Sequence, residues 1–215
     1  MVSKMRPGFK DESLAGAGGA PDEQTRRIFF AIDLPDELTT RAENVISGFG
    51  VPSGQVRWAR AGNMHITMRF LGDVSEKAIP GLCDAAGQIA ATFRPFRITV
   101  EGLGVFPNQE RPRVVWFGVG GDVENLKNIE TALSARLEGM GFPPEERAFS
   151  AHLTIGRVKS DNARGKIARL VRQYRRYYIG DAPVTEIALY ESKLNPQGSI
   201  YTKLGSFKLL KAAKP

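Results

Sequence analysis

Met64-His65-Ile66-Thr67-Met68-Arg69-Phe70 and Ala151-His152-Leu153-Thr154-Ile155-Gly156-Arg157 are two versions of one phrase, and they hold the only two histidines of a 215-residue chain. Histidine, with an ordinary pKa near 6.5, gives or takes a proton close to neutrality. Two imidazoles, one neutral and one protonated, make a general base and a general acid for a single reaction. Each phrase reads as a β-strand, in which side chains alternate with period two. Thr67 and Thr154 therefore share a face with His65 and His152 and present a hydroxyl beside each ring. A single His-x-Thr says little; two in matching strand contexts, with no other histidine present, point to paired use.

Working outward, the two phrases organise two similar halves. Arg26–Pro35, RRIFFAIDLP, reads as an apolar strand closed by Pro35. Leu38, Ala42, Val45, Ile46 and Phe49 follow at helical spacing, with Asp36 as the expected cap. QVRWAR is a short strand, AGN a turn and MHITMRFLG the first motif strand. A helix with Ile79, Leu82, Cys83, Ala86, Ile89 and Ala90 on one face comes next, with Asp73 and Ser75 as candidate caps. FRITVEGLGVF and PRVVWFGVG are strands, and Asp122 is expected to cap a helix bearing Leu126, Ile129, Leu133 and Leu137. After FSAHLTIGRV, a basic amphipathic helix leads to the strands VTEIALYESKL and SIYTKLGSFKL, joined by the turn NPQG. RRIFFAIDLP parallels RVVWFGVGG, and MHITMRF parallels AHLTIGR. The expected fold is α+β: two pseudo-symmetric lobes of mainly antiparallel sheet with outer helices, their motif strands forming opposite walls of a central cleft. Residues 26–212 are expected to form one bilobal domain. Residues 1–25, rich in Gly, Ala and charge, read as a flexible extension.

Composition narrows the function classes. Hydrophobic residues at 42% and charged residues at 25% describe an ordinary soluble chain, expected in the cytoplasm and as a monomer. No apolar run approaches the ~20 residues needed to cross a bilayer, and the first residues lack the apolar core of a secretory signal. One cysteine excludes an internal disulfide framework. Two histidines and one cysteine offer no zinc-ligand spacing, and no other metal motif or phosphate-binding P-loop is present. The formal net charge is +7, and the first 24 residues hold three basic and four acidic side chains, so the positive charge belongs to the remainder of the chain. From Arg157 to Arg176 the chain carries eight basic residues against Asp161 alone. That density suits a phosphate-bearing partner.

The paired His-x-Thr strands, the opening FFAIDLP, the phrase RWARAGNMHITMRFLGDV and the ending LYESKLNPQGSIYTKLGSF together resemble the two-histidine (2H) phosphoesterase superfamily. More narrowly they resemble its bacterial LigT-like branch, the RNA 2′,3′-cyclic phosphodiesterases once named 2′-5′ RNA ligases. The resemblance covers residues 26–210. It implies a bilobal fold, no metal or other cofactor, and opening of a cyclic phosphate at an RNA end, or on a small nucleotide, to a 2′-phosphomonoester. It also implies His65 as proton donor, His152 as proton acceptor, and Thr67, Thr154 and Arg157 as phosphate-binding residues. The residues themselves leave the two histidine roles interchangeable, because the half-sites are nearly alike.

Other readings share these groups. A 2′-5′-linked oligonucleotide, a small cyclic nucleotide or the reverse ligation would use the same pair, whereas an RNA-binding module without chemistry would need neither imidazole. The sixth position of the phrases breaks their symmetry, Phe70 in one and Arg157 in the other. Strict alternation turns Arg157 away from His152 unless Gly156 permits a bulge. By the same parity Arg69 faces the cleft and Phe70 packs in the core. Trp58, Trp116, Phe149 and Tyr201 are candidate stacking platforms for a base.

Overall fold

Ile28–Ile32 is buried on every residue, so the strand that contains it, β1 (Thr25–Asp33), is covered on both faces. It lies inside a nine-stranded sheet whose paired strands all run antiparallel. In this computed structural model, which describes residues 24–195 and 198–210, the chain continues through α1 (Asp36–Ser47), β2 (Val56–Trp58), β3 (His65–Ser75) and α2 (Ile79–Ala90). It then forms β4 (Phe96–Phe106), β5 (Val114–Gly121), α3 (Val123–Glu138), β6 (His152–Val158) and α4 (Arg164–Gln173). Three strands close it, β7 (Tyr178–Val184), β8 (Glu186–Asn195) and β9 (Gly198–Lys208). The tail expected over residues 1–25 lies outside the described residues except for its last two, and Thr25 already opens β1.

Strand order is β7-β4-β5-β6-β3-β1-β8-β9, with β2 added alongside β6. The order is a palindrome of equivalent elements: β3 matches β6, β1 matches β5, β8 matches β4 and β9 matches β7. The two lobes are thus halves of one continuous curled sheet. The motif strands are not separate walls facing across a gap. They are neighbours at the centre, joined by one antiparallel pair, Ile66 opposite Leu153. The lobes also interlock, since α1, which follows β1, packs on β7, and α3, which follows β5, packs on β3 and α2. The apolar stripes of the helices seal the core: Leu126, Ile129, Leu133 and Leu137 of α3 are fully buried, as are Ile66 and Leu153 beneath the seam.

Local differences from the sequence reading have local causes. Pro35, not Asp36, occupies the cap position of α1; its carbonyl accepts from the amides of Leu38 and Thr39, and Asp36 supplies first-turn negative charge instead. Asp122 stands at the α3 cap, where its carbonyl accepts from the Asn125 amide but its side chain bonds none, whereas Ser75 caps a short 3₁₀ turn by accepting from the Lys77 amide. β7 was not expected; it contains Gly180, Asp181 and Pro183, residue types depleted in strands. It is an edge strand, where a missing amide costs no ladder bond. Of the turn NPQG, Asn195 pairs with Gly198 and residues 196–197 lie outside the described set.

Gly156 of β6 lies directly under side chains of β2, Trp58 and Val56. A Cβ added there would stand 2.6 Å from the Trp58 ring, whereas one added at Gly62 meets nothing. Gly156→Ala is expected to cost about 1–3 kcal/mol through overpacking, read as a lowered Tm beside an unchanged Gly62→Ala control. Equal Tm values for the two variants would contradict this packing.

Candidate active site

With Ile66 opposite Leu153 and both pointing into the core, the flanking residues project from the other face. Antiparallel pairing then sets His65 toward Thr154 and Thr67 toward His152, so the two histidines lie on one diagonal of a quartet and the two threonines on the other. Three of the four, His65, Thr67 and Thr154, line a cleft of about 740 Å³ together with Arg157; His152 is not among its lining residues, and its ring lies against Phe106 and Trp116.

Arg157 reaches this face by a bulge. Val115 pairs with Gly156 but Trp116 pairs with Thr154, so Ile155 is skipped and alternation reverses. The first motif carries the equivalent bulge. Phe30 pairs with Arg69 but Ala31 pairs with Thr67, so Met68 is skipped. The parity reading of that strand is therefore corrected: Phe70, expected in the core, is 38% exposed and lines the cleft, while Arg69 is buried at 2%. The Arg69 guanidinium donates to the Pro143 carbonyl and lies 3.8 Å from Glu145 Oε1. It thereby ties the strand carrying His65 to the loop that leads into His152.

The imidazoles sit in different surroundings. His152 Nδ1 is 2.7 Å from the Ser150 carbonyl and donates to it in the neutral ring, which leaves Nε2 as the free lone pair. Its ring meets Phe106 edge-on at 5.0 Å. His65 is hydrogen-bonded in the same way to the backbone of Asn63, two residues before it, but is walled by Phe29 at 4.8 Å and Tyr201 at 5.0 Å. Burial pushes its pKa down to about 4, against the opposing pull of Asp33. Asp33 is itself held by the Tyr190 hydroxyl at 2.8 Å and by Lys203 at 2.5 Å. Burial, then the bond to Asp33, pushes the Tyr190 hydroxyl up to about 12, and Asp33 raises Lys203, so both of these keep their protons at neutral pH.

Four arginines line the cleft, Arg27, Arg57, Arg60 and Arg157, and no carboxylate does among the described residues. Only Arg157 of these belongs to the basic run read from the sequence. The outer members of that run lie elsewhere: Arg164 pairs with Asp161, Lys166 donates to the Gly50 carbonyl, and Arg172, Arg175 and Arg176 are exposed on or after α4. Arg27, Arg57 and Arg60 were missed because they are scattered over β1, β2 and a turn. Of the stacking candidates, Trp58 and Tyr201 line the cleft, Trp116 packs behind His152, and Phe149 packs against the core.

The family described as LigT like Phosphoesterase matches residues 32–116 and 121–201. This chain belongs to the LigT-like phosphoesterase family. It is 36% identical over 181 residues to an RNA 2′,3′-cyclic phosphodiesterase of Archaeoglobus fulgidus, covering 84% of this chain and 99% of that one. Against an enzyme of the same name from Methanothermobacter thermautotrophicus it is 34% identical over 183 residues, covering 85% and 98%. Among solved structures, E. coli LigT complexed with 3′-AMP superposes with a TM-score of 0.69 at 26% identity, covering 86% of this chain and 99% of that one. The matched ranges include both His-x-Thr phrases.

The depressed His65 pKa has a consequence for stability. Between about pH 4 and 6.5 the unfolded chain binds a proton at this residue that the folded one refuses. Its contribution therefore makes stability rise with pH across that window and become level above it. His65→Gln should flatten the dependence of Tm on pH between 4 and 6.5, and an unaltered slope would mean that the ring is not desolvated.

Proposed function

We propose that this protein hydrolyses 2′,3′-cyclic phosphates at RNA ends to 2′-phosphomonoesters, with His65 as general acid and His152 as general base. The observation that carries the reading is the quartet of two imidazoles and two threonines on one face of the paired motif strands, of which His65, Thr67 and Thr154 line an arginine-rich cleft. The names of the relatives, RNA 2′,3′-cyclic phosphodiesterase, support the substrate.

A cyclic phosphate placed over the quartet has one imidazole on each side of phosphorus. His152 Nε2 takes a proton from water as its oxygen bonds to phosphorus; the P–O3′ bond breaks, and His65 protonates O3′. Thr67 and Thr154 donate to the non-bridging oxygens, and Arg157 offsets their charge. The free lone pair on His152 suits the base. His65 must be protonated to act as acid, and burial disfavours that in the empty cleft. The phosphate anion reverses this, so substrate and proton enter together. Both proton transfers lie on side chains of a single chain, so the scheme needs neither a metal nor a second protomer, and turnover should persist in EDTA.

His65→Ala and His152→Ala should each abolish turnover of a cyclic-phosphate-ended oligonucleotide, the double variant being scarcely slower than either single one. A substrate with sulfur in place of O3′ separates the roles, because a thiolate leaves without a proton. It should restore most activity to His65→Ala and none to His152→Ala. Rescue of His152→Ala instead would exchange the two assignments, and rescue of neither would remove acid catalysis from the scheme.

A further inference from the structure

On the His65 side of the seam β2 takes the place of β3 beside β6. Arg57 and Arg157 there stand directly opposite each other as cross-strand partners, both exposed and both lining the cleft. Like charges so placed repel. Elsewhere in the fold arginines are matched with carboxylates, Arg26 with Glu76, Arg41 with Glu37 and Arg164 with Asp161. Neither Arg57 nor Arg157 has an ion pair or a hydrogen-bond partner among the described residues, and no carboxylate among them lines the cleft. Two guanidiniums that share one open space and lack a counter-charge are the setting in which a phosphate is held.

The pair lies beyond His65 and Thr154 by two residue rises, roughly 7 Å, once the bulge at Ile155 is allowed for. In the scheme above O3′ departs toward His65. The ribose that bears O3′ therefore lies on this side of phosphorus, and its 5′ arm continues past His65 toward the arginine pair. We propose that Arg57, opposite Arg157, seats the 5′-phosphate of the nucleotide that carries the cyclic end. The proposal rests on the function given above and on its assignment of the two histidines. Arg157 remains with the reacting phosphate, and Arg57 takes the next one along the strand. At an RNA end that second phosphate is the last internucleotide linkage, whereas a free nucleoside cyclic phosphate lacks it. The subsite thus distinguishes a cyclic end joined to a chain from a cyclic mononucleotide, and it does so without regard to base, because a phosphate contact carries no sequence information.

Two substrates test this, a nucleoside 2′,3′-cyclic monophosphate and the same compound phosphorylated at O5′. Wild-type kcat/KM should favour the 5′-phosphorylated compound by about tenfold or more, the contribution of one hydrogen bond between charged groups. That preference should shrink as salt rises. Arg57→Gln should bring the ratio near unity, and Arg57→Lys, which keeps the charge without the planar fork, should keep part of it. Arg27→Gln removes the same charge beside Phe70, at the other end of the cleft, and should keep the ratio. An unchanged ratio in Arg57→Gln overturns the subsite, and so does an equal loss in Arg27→Gln, which would leave only a diffuse field. Wild-type protein that hydrolyses neither compound overturns the function instead. Competition by a nucleoside 2′-monophosphate and by its 2′,5′-bisphosphate reads the same contact without chemistry. The bisphosphate should inhibit wild-type protein more strongly and Arg57→Gln no more strongly than the monophosphate does; equal inhibition of the wild type would end the proposal.

Discussion

A single backbone pairing, Ile66 with Leu153, joins the two halves of the sheet along the motif strands. Both side chains are fully buried, so the seam is held from the core side by close packing and leaves its other face to the cleft. The two His-x-Thr phrases therefore flank this one pair on the face opposite the core. The exchange of α1 and α3 between lobes reinforces this, since neither half can move without dragging a helix packed on the other.

The two histidines, their threonines and the pairing of equivalent strands were legible because they obey local rules, period two in strands and repetition along the chain. Arg157 was legible because Gly156 announces a bulge. Phe70 was not, because no glycine precedes it: the matching bulge at Met68 is imposed by the register with β1, a tertiary fact. The symmetry of the motifs was the available signal, since a bulge inferred for one phrase applies to its copy. β7 failed for the opposite reason, its glycine and proline being tolerated only at the sheet edge that the fold assigns it.

The group beneath His65 lay beyond any sequence pattern. Asp33, Tyr190 and Lys203 come from three strands, and register alone brings them together. Their effect is to hold the Asp33 side chain near a ring whose protonation burial opposes. A buried imidazole with no such neighbour would resist protonation even with substrate bound. An exposed one would already be half protonated near neutrality and would gain little from the incoming anion. His65 lies between these limits, which suits a proton donor loaded by the substrate.

Where the positive charge sits completes the asymmetry. The density along α4 is conspicuous in the sequence, yet part of it is spent on the fold, through Arg164 with Asp161 and Lys166 with the Gly50 carbonyl. The cleft draws its field instead from four arginines that no sequence window groups together, and with no carboxylate among its described lining residues to offset them they act in concert. Clefts focus such a field, so a phosphate is attracted to the quartet before any contact forms. Arg157 and Phe70, the sixth residues of the two motifs, leave the two halves of the cleft chemically unlike despite the local twofold.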